Sequence, residues 1–119
     1  MILVDTSVWI GHFRNVNRVL VRLLEQEQVL LHPFVHGEIA CGNLGNRAEI
    51  LALLAALPAA TKADDDEILL LIEQHALMGR GLGLVDVHLL ASALIQPCLL
   101  WTADKRLQAA AKELATAFG

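Results

Sequence analysis

Two acidic residues in this chain, Asp5 and Asp104, each follow a short apolar run. Asp5 comes directly after Met1–Val4, and Asp104 follows Cys98–Thr102. Runs of this length and composition predict buried β-strands, which places both acids at strand tips. Open α/β sheets bind ligands at the carboxyl ends of their parallel strands, so we expect the two carboxylates to face one crevice.

Two further acids are expected near the starts of helices. Asp86 comes after the glycine-rich segment Gly79–Gly83 and opens the helix-like stretch Val87–Ile95. Gly79–Gly83 lacks the lysine of a phosphate loop and is interpreted as a flexible connection. Glu38 lies one turn into a helix that Pro33 can begin. Both side chains can reach the crevice at the strand tips, so four carboxylates are predicted to converge.

Four converging carboxylates would supply hard oxygen ligands, which suit Mg²⁺ or Mn²⁺. Magnesium typically keeps several waters and binds substrate phosphate oxygens besides a few protein carboxylates. Such a centre suits phosphodiester hydrolysis, because a divalent ion makes the attacking water easier to deprotonate and can stabilise the leaving oxygen. No covalent nucleophile is required, and a nucleic acid is the expected substrate.

Each acid also has an ordinary structural interpretation. Asp5, Asp86 and Asp104 could be helix N-caps, and a helical glutamate such as Glu38 is usually solvated. The joint topology of the four favours the ligand interpretation. By contrast, the acidic cluster Asp64–Glu67 precedes an apolar helical stretch, where carboxylates cap free amides, and it is predicted to be a helix cap.

Strand and helix patterns alternate along the chain, which predicts an α/β fold with a parallel sheet covered on both faces. Strands are expected near residues 2–5, 29–32 and 98–102, and 59–63 is a candidate edge strand. Helices are expected over residues 7–14, 17–26, 33–41, 47–57, 67–78, 87–95 and 105–116, with a turn at 43–46. The length predicts one domain, residues 1–119.

The composition predicts a cytoplasmic protein with a partner surface. Apolar residues make up 55% of the chain and the mean hydropathy is +0.52, yet no apolar run is long enough to span a bilayer and no signal peptide is apparent. The apolar surplus predicts a subunit or partner interface, with a tightly packed core as the alternative. The net charge of −4 argues against strong non-specific binding of nucleic acid, so recognition should use a local basic surface or a dimer groove.

Other chemically active side chains receive structural interpretations. Arg14, Arg18 and Arg22 recur every four residues, which predicts a solvated face or, as the alternative, a track that contacts nucleic-acid phosphates. Cys41 and Cys98 lack CxxC spacing and are expected to be buried apolar residues. The five histidines lack the spacing of a zinc site and are expected to be structural, with their hydrogen bonds satisfied.

Several segments together resemble the PIN-domain family and, within it, the VapC toxins of bacterial toxin–antitoxin pairs. The resemblance rests on Leu3–Ile10, Pro33–Ile39, Asp86 with Leu89–Ala93, and Trp101–Leu107. These segments carry the four acids in family order, and the likeness extends almost from end to end. It implies a three-layer α/β/α sandwich with a short central parallel sheet.

The resemblance also implies a Mg²⁺- or Mn²⁺-dependent endoribonuclease that cuts structured RNA such as transfer RNA. The family's catalytic and metal-binding acidic positions are matched by Asp5, Glu38, Asp86 and Asp104. Its supporting hydroxyl positions are matched by Thr6, Ser7 and Thr102. A homodimer is implied, together with a VapB-type antitoxin that obstructs the site. Promoter DNA would be bound only through the antitoxin complex.

Three other functions were weighed against these residues. A haloacid-dehalogenase-like phosphatase needs an aspartate two residues after Asp5, where this chain has Ser7. A receiver domain needs a phosphorylatable aspartate near the middle, where residues 48–60 hold only Glu49 as an acid. A non-catalytic PIN scaffold that acts only by binding an antitoxin stays open, and metal-dependent RNA cleavage would distinguish the enzyme from it.

Overall fold

The computed structural model describes residues 1–119 and contains one small parallel sheet. Its strands are β1 (Ile2–Val4), β2 (Val29–Leu30) and β3 (Leu99–Trp101), in the order β2-β1-β3. Ile2 of the central strand pairs with Val29 on one side and Leu99 on the other. All three residues of β1 are buried, so both faces of the sheet are covered and it forms the middle of three layers.

Seven helices surround this sheet: α1 (Thr6–Arg14), α2 (Arg18–Glu25), α3 (Pro33–Cys41), α4 (Arg47–Ala55), α5 (Asp65–Gln74), α6 (Leu84–Ile95) and α7 (Lys105–Glu113). Helix α3 packs on α1 and α4, α5 packs on α6, and both α6 and α7 contact β3. No helix is both long enough and apolar enough to cross a bilayer. The predicted α/β/α architecture is confirmed.

Helix α6 is the most deeply buried helix and carries Asp86 in its first turn. Every residue from Val87 to Ala93 is buried, because apolar and small residues occupy all sides of the helix over two turns. A helix packed in this way has little freedom to rotate or slide. The start of α6 therefore holds Asp86 in a fixed position relative to the sheet.

The acidic cluster before α5 is a helix cap, as predicted. Asp64 Oδ1 accepts a hydrogen bond from the Glu67 amide at 2.8 Å, and Glu67 Oε1 accepts one from the Asp64 amide at 3.0 Å. This reciprocal arrangement satisfies two amides that the helix leaves free. The helix runs over Asp65–Gln74 rather than 67–78, and Ala76, with φ of 48°, lies just beyond its end.

The prediction of an edge strand at residues 59–63 was wrong. Only a single bridge forms, between Leu31 and Ala59. The backbone of Thr61 is bonded by side chains instead: its amide donates to Gln96 Oε1 at 2.9 Å, and its carbonyl accepts from Ser92 Oγ at 2.6 Å. Because these groups are already satisfied by residues at α6, the segment does not extend the sheet.

The two cysteines differ from each other. Cys98, just before β3, is buried as expected, and burial raises the pKa of its thiol. Cys41 is exposed, which contradicts the prediction. It is the last residue of α3, where the helix leaves the core surface and its side chain faces solvent.

His32 and His88 form a buried pair whose hydrogen bonds are incomplete. Their ring centroids lie 6.0 Å apart, and His32 Nδ1 accepts the Phe34 amide proton at 3.0 Å to cap α3. His32 Nε2 and His88 Nδ1 have no partner, so the expectation of satisfied histidines was wrong for these two. Burial, together with the charges of the neighbouring His88 and Lys62, lowers the pKa of His32 to about 4.

Acidification is therefore expected to destabilise the fold as the pH falls from 6.5 towards 4. A histidine in the unfolded chain has a pKa near 6.5 while folded His32 has one near 4, so the unfolded state binds more protons in this interval. The contribution of His32 is constant above about pH 6.5, and protonation should remove at most about 3 kcal/mol of stability at lower pH. Urea titrations across this range measure the slope.

His32→Asn should flatten that slope, because asparagine can still cap α3 but does not titrate. The matched control is His75→Asn at the exposed end of α5, which should leave the slope as in the wild type. An unaltered pH dependence in His32→Asn would show that His32 is not the group responsible.

Candidate active site

Asp5 occupies the helix-capping position before α1 but does not use its side chain as a cap. Its Oδ2 atom instead accepts hydrogen bonds from Ser7 Oγ at 2.6 Å and Thr102 Oγ1 at 2.8 Å. The Asp5 amide donates to the Trp101 carbonyl at 2.9 Å, which ties the end of β1 to the end of β3. Only 7% of Asp5 is exposed, so the carboxylate is held in one orientation at the tip of the central strand.

Asp104 serves as a helix cap and also lies beside Asp5. Its Oδ1 atom accepts the amide protons of Arg106 at 2.8 Å and Leu107 at 3.1 Å, which caps α7. Its own amide donates to Thr102 Oγ1 at 3.0 Å, the hydroxyl that also donates to Asp5. Thr102 therefore connects the two acids at the two strand ends, and the capping and site interpretations of Asp104 are compatible.

Glu38 is exposed on α3, and a hydroxyl holds it towards α1. Thr6 Oγ1 donates to Glu38 Oε1 at 2.7 Å, so the first residue of α1 contacts Glu38 directly. This contact agrees with the packing of α1 on α3. The four acids and the three hydroxyls of Thr6, Ser7 and Thr102 thus occupy one region at the carboxyl ends of the strands.

Asp86 lies in the first turn of α6, half-buried, with its Oδ2 atom accepting the Gly83 amide proton at 2.9 Å. Burial raises the pKa of this carboxyl above its usual value, while the Gly83 bond lowers it. The charges of Asp5, Asp104 and Glu38 raise it further. The other three carboxylates are therefore near enough to Asp86 to oppose its ionisation.

Each of the four carboxylates has one oxygen bonded by the protein and one oxygen with no protein hydrogen bond. The bonded atoms are Asp5 Oδ2, Glu38 Oε1, Asp86 Oδ2 and Asp104 Oδ1. No lysine or arginine pairs with any of them, since the one salt bridge of the structure joins Arg80 to Glu113. The site therefore presents four oriented anionic oxygens without a protein counter-charge.

The prediction that the four side chains converge needs one correction. In this conformation no three acidic, histidine or cysteine side chains lie close enough together to enclose a metal ion. Strand ends and helices set the backbone positions of the four acids.

The donor set fits a hard divalent cation. Four carboxylate oxygens are available, and the nearby hydroxyls are already committed as donors to Asp5 and Glu38. Mg²⁺ and Mn²⁺ prefer such oxygen ligands, and magnesium is often held by only one or two carboxylates plus waters and substrate oxygens. Zinc, which prefers sulfur and nitrogen, has no matching ligands here.

The arginine stripe is interrupted in the structure. Arg14 ends α1, whereas Arg18 and Arg22 lie on α2, so the four-residue spacing does not describe one helix face. All three are exposed, and so are the apolar neighbours Val16 and Val19. Asn17 starts α2 by accepting the Leu20 amide proton, and this cap separates the two helices.

Two contributors to the site were missed in the sequence. Gly83, interpreted as part of a flexible connection, donates its amide proton to Asp86. Arg106, which was given no role of its own within Trp101–Leu107, donates its amide proton to Asp104. Its side chain lies across Gly81. The available signal was a pair of cations, Lys105 and Arg106, in the first turn of a helix, where acids are usually preferred.

Comparisons with known proteins agree with this fold. The family model for the PIN domain matches residues 2–113. Ribonuclease VapC32 of Mycobacterium tuberculosis, from the CDC 1551/Oshkosh and H37Rv strains, is 48% identical over 114 residues, covering 95% of this chain and 92% of that protein. The crystal structure of PAE2754 from Pyrobaculum aerophilum superposes with a TM-score of 0.62 at 16% identity, over 92% of this chain and 78% of that chain.

Proposed function

The chain belongs to the PIN-domain family and is a VapC-type member of it, and on this basis we propose that it is a ribonuclease toxin with a divalent-metal-dependent active site. The observation that carries the proposal is the set of four carboxylates, each with one oxygen bonded by the protein and the other left available. Its reaction is the hydrolysis of RNA phosphodiester bonds. Asp5, Glu38, Asp86 and Asp104 are the proposed catalytic and metal-binding residues.

The proposed roles follow from how each acid is held. Asp5 is the most rigid ligand, because two hydroxyls fix its carboxylate at the tip of the central strand. Asp86 and Asp104 approach from the starts of α6 and α7, and Glu38 approaches from the exposed side of α3. A bound Mg²⁺ or Mn²⁺ would supply Lewis acidity towards the phosphate and the attacking water.

The hydroxyl groups near the acids are positioning groups rather than nucleophiles. Thr6, Ser7 and Thr102 each donate their proton to a carboxylate. Ser7 Oγ also accepts the Ala103 amide proton at 3.0 Å, which orients the serine further. Because the carboxylates that accept these protons are the proposed metal ligands, the hydroxyls are assigned to orienting them. Water is the proposed nucleophile.

The proposed substrate is structured RNA such as transfer RNA, and the proposed compartment is the cytoplasm, where such RNA is found. Arg14, Arg18 and Arg22 remain candidate RNA contacts because all three are exposed cations. A VapB-type antitoxin is the proposed inhibitory partner, and promoter DNA would be bound only by the complex of the two proteins.

A homodimer is also proposed, supported by apolar side chains that remain exposed on adjacent helices. The exposed residues are Leu69 and Leu70 on α5 with Leu94 and Ile95 on α6. Three of them, Leu70, Leu94 and Ile95, line one surface groove. Contiguous exposed apolar surface of this kind marks interaction sites. Size-exclusion chromatography with light scattering tests it, and a monomeric mass at micromolar concentration would contradict the dimer.

Cleavage of total cellular RNA tests the ribonuclease directly. Purified protein without antitoxin is incubated with the RNA in Mg²⁺, in Mn²⁺ and in EDTA. We expect discrete fragments with either metal and none in EDTA, and sequencing of the fragment ends identifies the target and the cut position.

Metal binding must be measured on the same preparation, by the shift of the melting temperature with added Mg²⁺. Intact RNA throughout, from folded protein that binds metal, would overturn the enzymatic function and favour the non-catalytic scaffold. Cleavage that persists in EDTA would overturn the metal dependence.

A further inference from the structure

Arg106 is a cation held at the edge of the proposed site without a protein partner. None of its side-chain nitrogens makes a hydrogen bond or a salt bridge in the structure, although the guanidinium has five N–H donors. The residue is exposed, so these donors face solvent and anything bound at the site. A guanidinium with free donors is suited to binding a phosphate in two-point fashion.

The side chain of Arg106 packs against Gly81. A Cβ atom built on Gly81 would lie 2.9 Å from Arg106 Cδ and 3.0 Å from Arg106 Cζ, so a larger residue here would displace the arginine side chain. Gly81 also has φ of 76°, a conformation that favours glycine. The absence of a side chain at Gly81 therefore lets the arginine lie across this backbone.

Arg106 lies close to two of the site carboxylates along the chain. Its amide donates to Asp104 Oδ1 at 2.8 Å, while Gly81, under its side chain, lies two residues before Gly83, which donates to Asp86. The Arg106 side chain therefore connects the start of α7 with the loop before α6, the two places that position Asp104 and Asp86.

We infer that Arg106 binds a phosphate of the RNA backbone beside the four carboxylates, and so sets the register of the strand across them. The inference rests on the proposed ribonuclease function. It assigns Arg106 as a substrate-positioning residue rather than a catalytic one. RNA binding would also explain why Arg106 lies in the first turn of α7, where positive charge lowers helix stability.

The test compares steady-state cleavage of a short RNA that contains the cut site found in total RNA. Arg106→Ala is expected to raise KM about tenfold with kcat within about twofold of the wild type. The dependence of log(kcat/KM) on log[salt] should become shallower by about 0.7 to 0.9, the value for one lost phosphate contact. Arg106→Lys keeps the charge but loses the two-point geometry, so it should keep the salt slope and recover only part of the KM.

Two further variants separate position from charge. Gly81→Ala keeps every charge but displaces the guanidinium, and it should reproduce the higher KM of Arg106→Ala. Lys112→Ala removes one positive charge from the far end of the same helix and should leave KM and the salt slope unchanged. If Arg106 only neutralised part of the negative charge of the four carboxylates, Arg106→Ala would change the melting temperature and the metal affinity. The salt slope would then stay as in the wild type.

The outcomes distinguish the inference from the function beneath it. If the wild type cuts RNA and Arg106→Ala shows the wild-type KM and salt slope, the inference is overturned and the nuclease stands. If the wild type binds the RNA oligonucleotide without cutting it, fluorescence anisotropy measures the salt dependence of binding instead. An equal salt slope for the wild type and Arg106→Ala would then overturn the inference. If it neither cuts nor binds RNA, both are overturned.

Discussion

Asp5→Asn is expected to lower the rate of RNA cleavage by about a thousandfold or more while the fold is kept. Asparagine has the same shape as aspartate. The hydroxyls of Ser7 and Thr102 can still donate to its side-chain oxygen. What is lost is the negative charge of the best-held ligand in the site. A loss of roughly 4 kcal/mol of transition-state stabilisation corresponds to about three powers of ten in rate.

The measurement is single-turnover cleavage in Mg²⁺, with circular dichroism and the melting temperature to verify folding. The matched control is Asp65→Asn, which makes the same chemical change at an exposed residue in the first turn of α5. The control should cleave at the wild-type rate. Near-normal cleavage by folded Asp5→Asn would remove Asp5 from the catalytic residues and with it the four-carboxylate mechanism.

Asp86→Asn should make the metal-free protein more stable and abolish its stabilisation by metal. Without metal, the burial of Asp86 and the charges of its three acidic neighbours oppose its ionised form, and the amide removes that penalty. The asparagine side-chain oxygen can still accept the Gly83 amide proton. We expect a melting temperature a few degrees above the wild type in EDTA.

Addition of metal should reverse the order of the two proteins. Mg²⁺ at about a hundred times its dissociation constant stabilises a folded protein by about 2.7 kcal/mol, which corresponds to on the order of 10 °C for a domain of this size. The wild type should show this rise and Asp86→Asn should show little of it. Asp66→Asn, at an exposed residue outside the site, should keep the full rise. An equal rise in Asp86→Asn would place the metal elsewhere.

Much of the fold followed from local sequence signals that act over a few residues. The apolar run before Asp5 and the proline at the start of α3 determine strand and helix boundaries through sterics and hydrogen bonding, and α3 begins and ends at the predicted residues. The cap at Asp64 was predictable for the same reason. Asp5 and Asp104 were expected to lie together because the ends of parallel strands meet at one edge of a sheet, and Thr102 connects them there.

What the sequence did not show depends on long-range contacts. Thr61 lies in a segment whose composition predicts a strand. Its backbone is instead hydrogen-bonded by the side chains of Ser92 and Gln96, more than thirty residues away. Similarly, Thr102 connects Asp5 to Asp104 only after β1 and β3 have paired. The arginine spacing predicted one face because periodicity cannot show that the cap at Asn17 starts a new helix.

The pairing of β1 with β3 has a consequence for synthesis of the protein on the ribosome. Ile2 pairs with Leu99, so the first and last acids of the site are brought together by strands from opposite ends of the chain. A nascent chain emerges in order from its N-terminus and cannot form this pair until β3 has left the ribosome. We therefore expect the growing polypeptide to be catalytically inert until β3 and α7 have emerged, so that the proposed antitoxin can be present when the site first forms.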